Sequence, residues 1–170
     1  AGTSPGELVR LGQTDIRIAR AIINKPEFCH HDVIYNLGMK YEEIAQTIIN
    51  TPALCHRLYY WSLHRLAKAH RSACVAILNN AQLAAQFSGE GLYALSQKHG
   101  EAVLAQIPAT AKTAYEAYKH LLNPATLHDD NLLRCLMDAN LSEEQLSKLG
   151  ETDIRIARAI INKPEFCHHD

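Results

Sequence analysis

Three kinds of pattern are absent from this chain, and each absence excludes a class of protein. No run of 18 apolar residues occurs, so the sequence predicts no transmembrane helix. No segment alternates apolar and polar residues between turn signals, so no β-strand is predicted. The metal-binding spacings CxxC, HxxxH and HExxH do not occur either. These absences favour an all-helical protein without a metal centre.

Acidic residues are missing from the middle of the chain. Between Ile44 and Gly89 there is no aspartate or glutamate, although the chain holds 18 of them and has a net charge of −1. The stretch 56–71 combines basic and aromatic residues, including the single tryptophan. Such a surface can bind an acidic protein or a nucleic acid. The predicted partner-binding residues are Arg57, Tyr60, Trp61, Arg65, Lys68 and Arg71.

A protein is the favoured partner of this basic aromatic stretch, and nucleic acid is the alternative. The positive charge does not recur at matching positions along the chain, since Arg17 corresponds to Glu43 in the next repeat and to Ser72 in the third. A continuous cationic track for a phosphate backbone is therefore not predicted.

What is present, above all, is repetition. Residues 11–32 return as residues 149–170, and only Gln13 differs, becoming Glu151. We name these segments the N-terminal copy and the C-terminal copy. A weaker match at an offset of 26 relates Leu37–His56 to the N-terminal copy. The sequence therefore predicts one helical-repeat domain over residues 1–170, taken from a longer tandem-repeat protein. Its repeats lie near 11–36, 37–65 and 66–91, followed by an irregular region 92–148 and the partial copy 149–170.

Each repeat is predicted to be a pair of short helices. In the first, Thr14 is the expected N-cap and Asn24 the helix end. Pro26 is expected to begin the second helix, and Gly38 to end it in a left-handed C-cap. Near the other end of the chain, residues 142–145 have the spacing of a capping box. Helices this short need neighbours, so the predicted fold is all-α, with helix pairs stacked as a right-handed solenoid.

Cysteine and histidine recur together, at Cys29-His30-His31-Asp32, at Cys55-His56 and again from Cys167 onward. Adjacent helical residues point about 100° apart, so such pairs cannot converge on one ion. Five cysteines, an odd number that partly follows the repeat, indicate buried reduced thiols in the cytoplasm and no disulfide framework. We therefore predict no metal, no cofactor and no catalytic residue, and we do not expect an enzyme.

The Leu-Gly pairs and the Ile-Ile-Asn-x-Pro segments, as at residues 22–26, give the chain a family resemblance. It resembles the α-helical tandem-repeat regions of large secreted effectors of intracellular bacteria. That resemblance implies an interaction scaffold working in the host cytoplasm. A third hypothesis is self-association, because a solenoid exposes apolar surface at an end that lacks a capping repeat.

Overall fold

Helices make up the regular structure of this chain in the computed structural model, which describes residues 3–167. No strand occurs in that range, so the all-α prediction is confirmed. The longest described helix has 13 residues, and none is long and apolar enough to cross a bilayer. The chain divides into two compact units, Ala1–Asn80 (the N-terminal unit) and Ala81–Asp170 (the C-terminal unit). This boundary falls inside the predicted repeat 66–91.

Three successive helix pairs build the N-terminal unit. Its helices are α1 (Pro5–Gly12), α2 (Ile16–Ile23), α3 (His31–Lys40), α4 (Glu42–Ile49), α5 (Pro52–Cys55), α6 (Tyr60–Ala69) and α7 (Arg71–Leu78). The pairs are α1–α2, α3–α4 and α6–α7, and corresponding helices contact each other: α3 packs on α1 and α6, and α4 packs on α2 and α7. Ile44, Ile48, Leu66 and Ile77 are fully buried in this packing.

The C-terminal unit is less regular. Its helices are α8 (Ala81–Ala84), α9 (Gly89–His99), α10 (Ala109–Leu121), α11 (Asp129–Asp138), α12 (Glu143–Thr152) and α13 (Ile154–Ile161). Helix α10 packs between α9 and α11, and α11 also contacts α13, which pairs with α12. Leu121, Leu132, Leu136 and Ile156 form part of its core.

The structure corrects the predicted start of α2. The N-cap is Asp15, whose carboxylate accepts a hydrogen bond from the backbone N–H of Arg17 at 2.7 Å, and Asp153 makes the equivalent bond in the C-terminal copy. Thr14 instead donates its hydroxyl to the carbonyl of Leu11. Hydrogen bonds from the Arg17 side chain and backbone lower the pKa of Asp15 to about 2. Aspartate is the better cap because its charge also complements the helix dipole.

Of the other predicted helix boundaries, some are confirmed and some are wrong. Asn24 does end α2, and Ser142 with Gln145 forms the predicted capping box. Pro26, however, begins a separate 3-10 turn, Pro26–Phe28, and α3 begins only at His31.

The predicted C-cap at Gly38 is also wrong. Helix α3 continues through it to Lys40, and the positive φ angles between residues 3 and 167 belong to Gly100 and Asn140. Gly38 serves packing instead: a Cβ there would lie 3.1 Å from the Cδ2 of Leu66 on α6. A glycine required for close helix approach looks the same in the sequence as one required for a turn.

Candidate interaction surface

A partly exposed group of aromatic side chains lies where α3 meets α6. We name it the aromatic cluster: His31, Tyr35, Tyr59 and Trp61. The His31 ring centroid lies 4.5 Å from that of Tyr59 and 5.2 Å from that of Trp61. Tyr35 and Trp61 meet edge to face at 5.0 Å. Tyr59 and Trp61 remain 58% and 44% exposed, so much of each ring is open to a partner.

Polar contacts hold this cluster in place. The guanidinium carbon of Arg65 stands over the Trp61 ring, 5.0 Å from its centroid, and Arg65 Nη1 lies 3.5 Å from the Tyr35 hydroxyl. His31 Nε2 lies 2.6 Å from the Oγ of Ser62, which is fully buried. Since these rings already have defined neighbours, binding of a partner would restrict few additional side-chain conformations.

Four of the six predicted binding residues lie together on α6: Tyr60, Trp61, Arg65 and Lys68. At 100° per residue they cover a sector of about 140° on the helix. Tyr60 stacks on His64 with ring centroids 6.3 Å apart. Burial, helped by the nearby Lys68 charge, lowers the pKa of His64, so this histidine adds no positive charge at neutral pH.

The structure places Arg57 apart from this group. Its Nη1 donates to the carbonyls of Pro26 and Cys29, each at 2.8 Å, and so ties the 3-10 turn Pro26–Phe28 to the segment after α5. This guanidinium is committed to internal structure. Arg71, the last of the six, is the first residue of α7.

His31, Tyr35 and Tyr59 are members of the surface that the sequence prediction did not include. His31 precedes Trp61, and Tyr35 precedes Arg65, by close to one repeat length. The repeat spacing therefore already indicated that residues on α3 would lie beside residues on α6.

The buried thiols of this chain are poorly suited to nucleophilic chemistry. Desolvation raises the pKa of Cys29, Cys55 and Cys74, in the last case to about 11, and all three are buried. A thiol with a raised pKa is protonated at neutral pH, and the thiolate is the reactive form.

Metal binding finds no support in the described part of the chain, where no group of three or more His, Cys, Asp or Glu side chains could hold an ion. His168, His169 and Asp170, which repeat His30, His31 and Asp32, lie outside the described residues.

A groove of about 300 Å³ lies between α11 and α13. Its polar groups serve packing. Arg155 Nη2 pairs with the Asp129 carboxylate at 2.9 Å, and the same guanidinium donates to the carbonyls of Pro124 and Leu127. The groove therefore resembles a helix contact stabilised by one arginine more than a reaction site.

Comparison of this chain with protein-family models, with curated protein sequences and with solved structures gave no match.

Proposed function

We propose that this chain is a helical-repeat interaction scaffold that binds a protein partner through the aromatic cluster together with Arg65, Lys68 and Arg71. The supporting observation is the partly exposed Trp61 ring, packed between Tyr35 and Arg65. Tryptophan, tyrosine and arginine are the residues that most often dominate the energy of protein interfaces. Rings fixed by their neighbours also lose little conformational entropy on binding.

The charge pattern favours an acidic partner. Residues 45–89 contain no carboxylate side chain, and Arg65, Lys68 and Arg71 all lie in that stretch. A fitting segment would carry carboxylates to meet these cations and an apolar side chain to cover Tyr59 and Trp61. Such complementarity contributes more to specificity and association rate than to affinity itself.

The wider proposal is a right-handed solenoid without enzymatic activity. The contacts of α3 with α1 and α6, and of α4 with α2 and α7, support stacked helix pairs in the N-terminal unit. The raised thiol pKa values support a binding role over nucleophilic catalysis. A cytoplasmic location, in a host cell if the resemblance to bacterial effectors is genuine, belongs to the same proposal.

Replacing Arg65, Lys68 and Arg71 by glutamate tests the surface. We expect the triple variant to lose capture of the partner proteins that the wild-type chain retains from host-cell cytosol. The melting temperature should stay within a few degrees, because Arg65 and Arg71 are exposed and surface changes alter stability little. Quantitative mass spectrometry of the captured proteins gives the comparison.

The matched control replaces Lys98, Lys112 and Arg134 by glutamate, since these exposed cations of the C-terminal unit change the net charge by the same amount. The control should capture the same proteins as the wild type. Equal capture by both triple variants would reject the surface, and Trp61→Ala should reproduce the loss without any change in charge.

A further inference from the structure

The two copies have nearly the same sequence, but different parts of their surfaces are covered. In the N-terminal copy the face that carries Ile22 and Ile23 is packed, and these side chains are 5% and 6% exposed. Their equivalents in the C-terminal copy are Ile160, partly buried, and Ile161, 71% exposed. Ile23 is therefore part of a core, whereas its equivalent Ile161 is open, and Ile160 packs only partly against the core of the C-terminal unit.

The other face shows the reverse. Ile156 is fully buried in the C-terminal copy, whereas its equivalent Ile18 is 37% exposed. Arg155 donates to the carbonyls of Pro124 and Leu127, whereas Arg17 pairs locally with Asp15 and its side chain is 82% exposed. The covered sectors overlap, because Ile156 and Ile160 are only four residues apart, but each copy covers a different part of the helix within its own unit.

The N-terminal unit shows what covers the first face. Helix α2 is joined to α4 by an ion pair, Arg20 Nη2 to Glu43 Oε2, at 2.7 Å. Helix α1 approaches α3 so closely that a Cβ on Gly12 would lie 2.5 Å from Leu37 Cδ2. Beside these helices, Arg57 donates hydrogen bonds to the carbonyls of Pro26, in the 3-10 turn, and of Cys29, just after it.

Each of these groups has a counterpart in the C-terminal copy. Arg158 matches Arg20, and Gly150 matches Gly12. The 3-10 turn Pro164–Phe166 matches the turn that Arg57 holds. The one substitution, Glu151 for Gln13, lies at the end of the first helix of the pair, away from the isoleucines. The C-terminal copy thus presents the surface that α3 and α4 already bind.

We propose that the chain self-associates by exchange. The C-terminal copy of one molecule docks on α3 and α4 of a second molecule, in the place held by the N-terminal copy of that second molecule. Arg158 then pairs with Glu43, Gly150 packs against Leu37, and Arg57 donates to the carbonyls of Pro164 and Cys167. Ile156 remains buried in the core of its own unit during this exchange.

Similar contacts limit the cost of this exchange. Most contacts of α2 and of Gly12 that break have an equivalent in the C-terminal copy, whereas Leu8 of α1 has none, because its counterpart Leu146 is in the core of its own unit. Swapping an identical element between molecules is a low-cost route to association for this reason. The released N-terminal segment regains conformational entropy, which offsets part of the cost of association.

Mass measurement over a concentration series tests the exchange on the full chain. Sedimentation equilibrium after prolonged incubation should show the wild type associating as concentration rises. Gly150→Ala should weaken association by about ten-fold, because the new Cβ would overpack the second molecule's Leu37. In the free molecule that Cβ makes only ordinary contacts, the nearest at 3.6 Å to Ile160 Cδ1, so folding is preserved. Gly12→Ala, the same change in the other copy, should strengthen association by loosening α1.

A charge exchange gives a second matched pair. Glu43→Arg with Arg158→Glu repels the N-terminal copy and attracts the C-terminal copy, so association should increase. Glu43→Arg with Arg20→Glu does the opposite at the same net charge, so the chain should stay monomeric. Because the pair is exposed, the two variants should differ by roughly ten-fold in dissociation constant.

A wild-type chain that remains monomeric at every concentration would overturn the proposal. So would association that is equal in Gly150→Ala and Gly12→Ala, or in the two charge variants. The glutamate substitutions at Arg65, Lys68 and Arg71 should leave the mass profile unchanged, which separates this surface from the proposed partner site.

Discussion

Cys29 and Cys167 have the same sequence neighbours and opposite surroundings. Cys29 is fully buried, with its Sγ 3.3 Å from the carbonyl oxygen of Lys25, and burial raises the pKa of its thiol. Cys167 is exposed. The difference comes from α3 and α4, which cover the N-terminal copy.

A thiol reagent should distinguish these two cysteines. In native protein at pH 8 we expect one fast-reacting thiol, Cys167, and a Cys29 reaction at least about 100-fold slower, because the thiolate is the nucleophile and must be accessible. Cys167→Ser should remove the fast phase in a 5,5′-dithiobis(2-nitrobenzoate) assay, and Cys29→Ser should keep it. Cys135 is partly buried, so a fast phase that survives both Cys167→Ser and Cys135→Ser would contradict the described burial.

Arg57 should matter for stability more than an exposed arginine normally does. Arg57→Ala leaves the carbonyls of Pro26 and Cys29 without their shared donor, and hydrogen bonds to charged groups contribute about 1.5–3 kcal/mol when buried. Because the guanidinium is largely exposed, we expect a loss of about 1 kcal/mol in the free energy of unfolding. Urea denaturation followed by circular dichroism gives the value. Arg17→Ala, in a solvated local pair, should cost less than about 0.5 kcal/mol, and equal losses would refute the distinction.

The burial and hydrogen bonding of a residue could be predicted only where they depend on its own segment of the chain. The burial of Cys29 and Cys55 was predicted correctly from their place in the repeat. The exposure of Cys167 was not, because the same letters occur in both copies and the covering helices are elsewhere in the chain. Arg57 was assigned to the partner surface for a similar reason: its charge is visible in the sequence, but the two carbonyls that engage it belong to the preceding repeat.

At the scale of elements, Gly89 marks a close contact between two helices. A Cβ at this position would lie 2.2 Å from the carbonyl oxygen of Ala114 and 2.7 Å from Tyr118 Cβ, both on α10. The Gly89 backbone N–H also donates to the carbonyl of Ala139 at 2.7 Å. Helices α9 and α10 can meet here because the residue has no side chain.

Gly89→Ala should therefore destabilise the C-terminal unit. We expect a loss of about 2–3 kcal/mol in the free energy of unfolding, since backbone must move to admit the methyl group. Gly6→Ala is the control, because no atom lies within 4 Å of a Cβ at that position in α1. It should be neutral or stabilise the helix by up to about 1 kcal/mol. Thermal unfolding of both variants provides the measurement, and a neutral Gly89→Ala would contradict the close approach.

The all-helical fold class and several helix ends were predictable from the sequence, but the residues at which helices begin were less predictable. Asn24 and the Ser142–Gln145 box were recognised because caps depend on local hydrogen bonds. Thr14 was preferred to Asp15 although both can cap, and the backbone geometry decided between them. The continuation of α3 through Gly38 depends on the contact with Leu66, which local rules do not contain.

For the whole molecule, charge argues against nucleic acid as the partner. The chain has a net charge of −1, and three cations, Arg65, Lys68 and Arg71, remain in the proposed surface. Releasing about three counterions gives weak binding that declines steeply with salt. We expect no detectable binding of a labelled random single strand in fluorescence anisotropy at ~0.15 M salt. Binding that persists there and weakens in the Arg65, Lys68 and Arg71 glutamate variant would make nucleic acid the partner.

The repeat pattern indicated which helices stack on one another, but neither how they pair nor how the chain divides. It predicted that α2 pairs with the helix after it, whereas α2 packs with α1, and α3 packs with α4. Matching positions in successive repeats brought α3 beside α6, and with it most of the candidate surface. The boundary after Asn80 has no composition signal, because it depends on which helices share a core. Long-range packing of this kind is distributed over many ordinary apolar residues.

Trp61 also has a spectroscopic consequence, because it is the only tryptophan in the chain. Excitation at long ultraviolet wavelength selects this indole, so its emission reports on one position of α6. The ring is 44% exposed and stands beside Arg65 and Tyr35, which makes its emission wavelength sensitive to anything that covers it. Titration of a candidate partner can therefore be followed without a label, and a blue shift would locate the contact at the aromatic cluster.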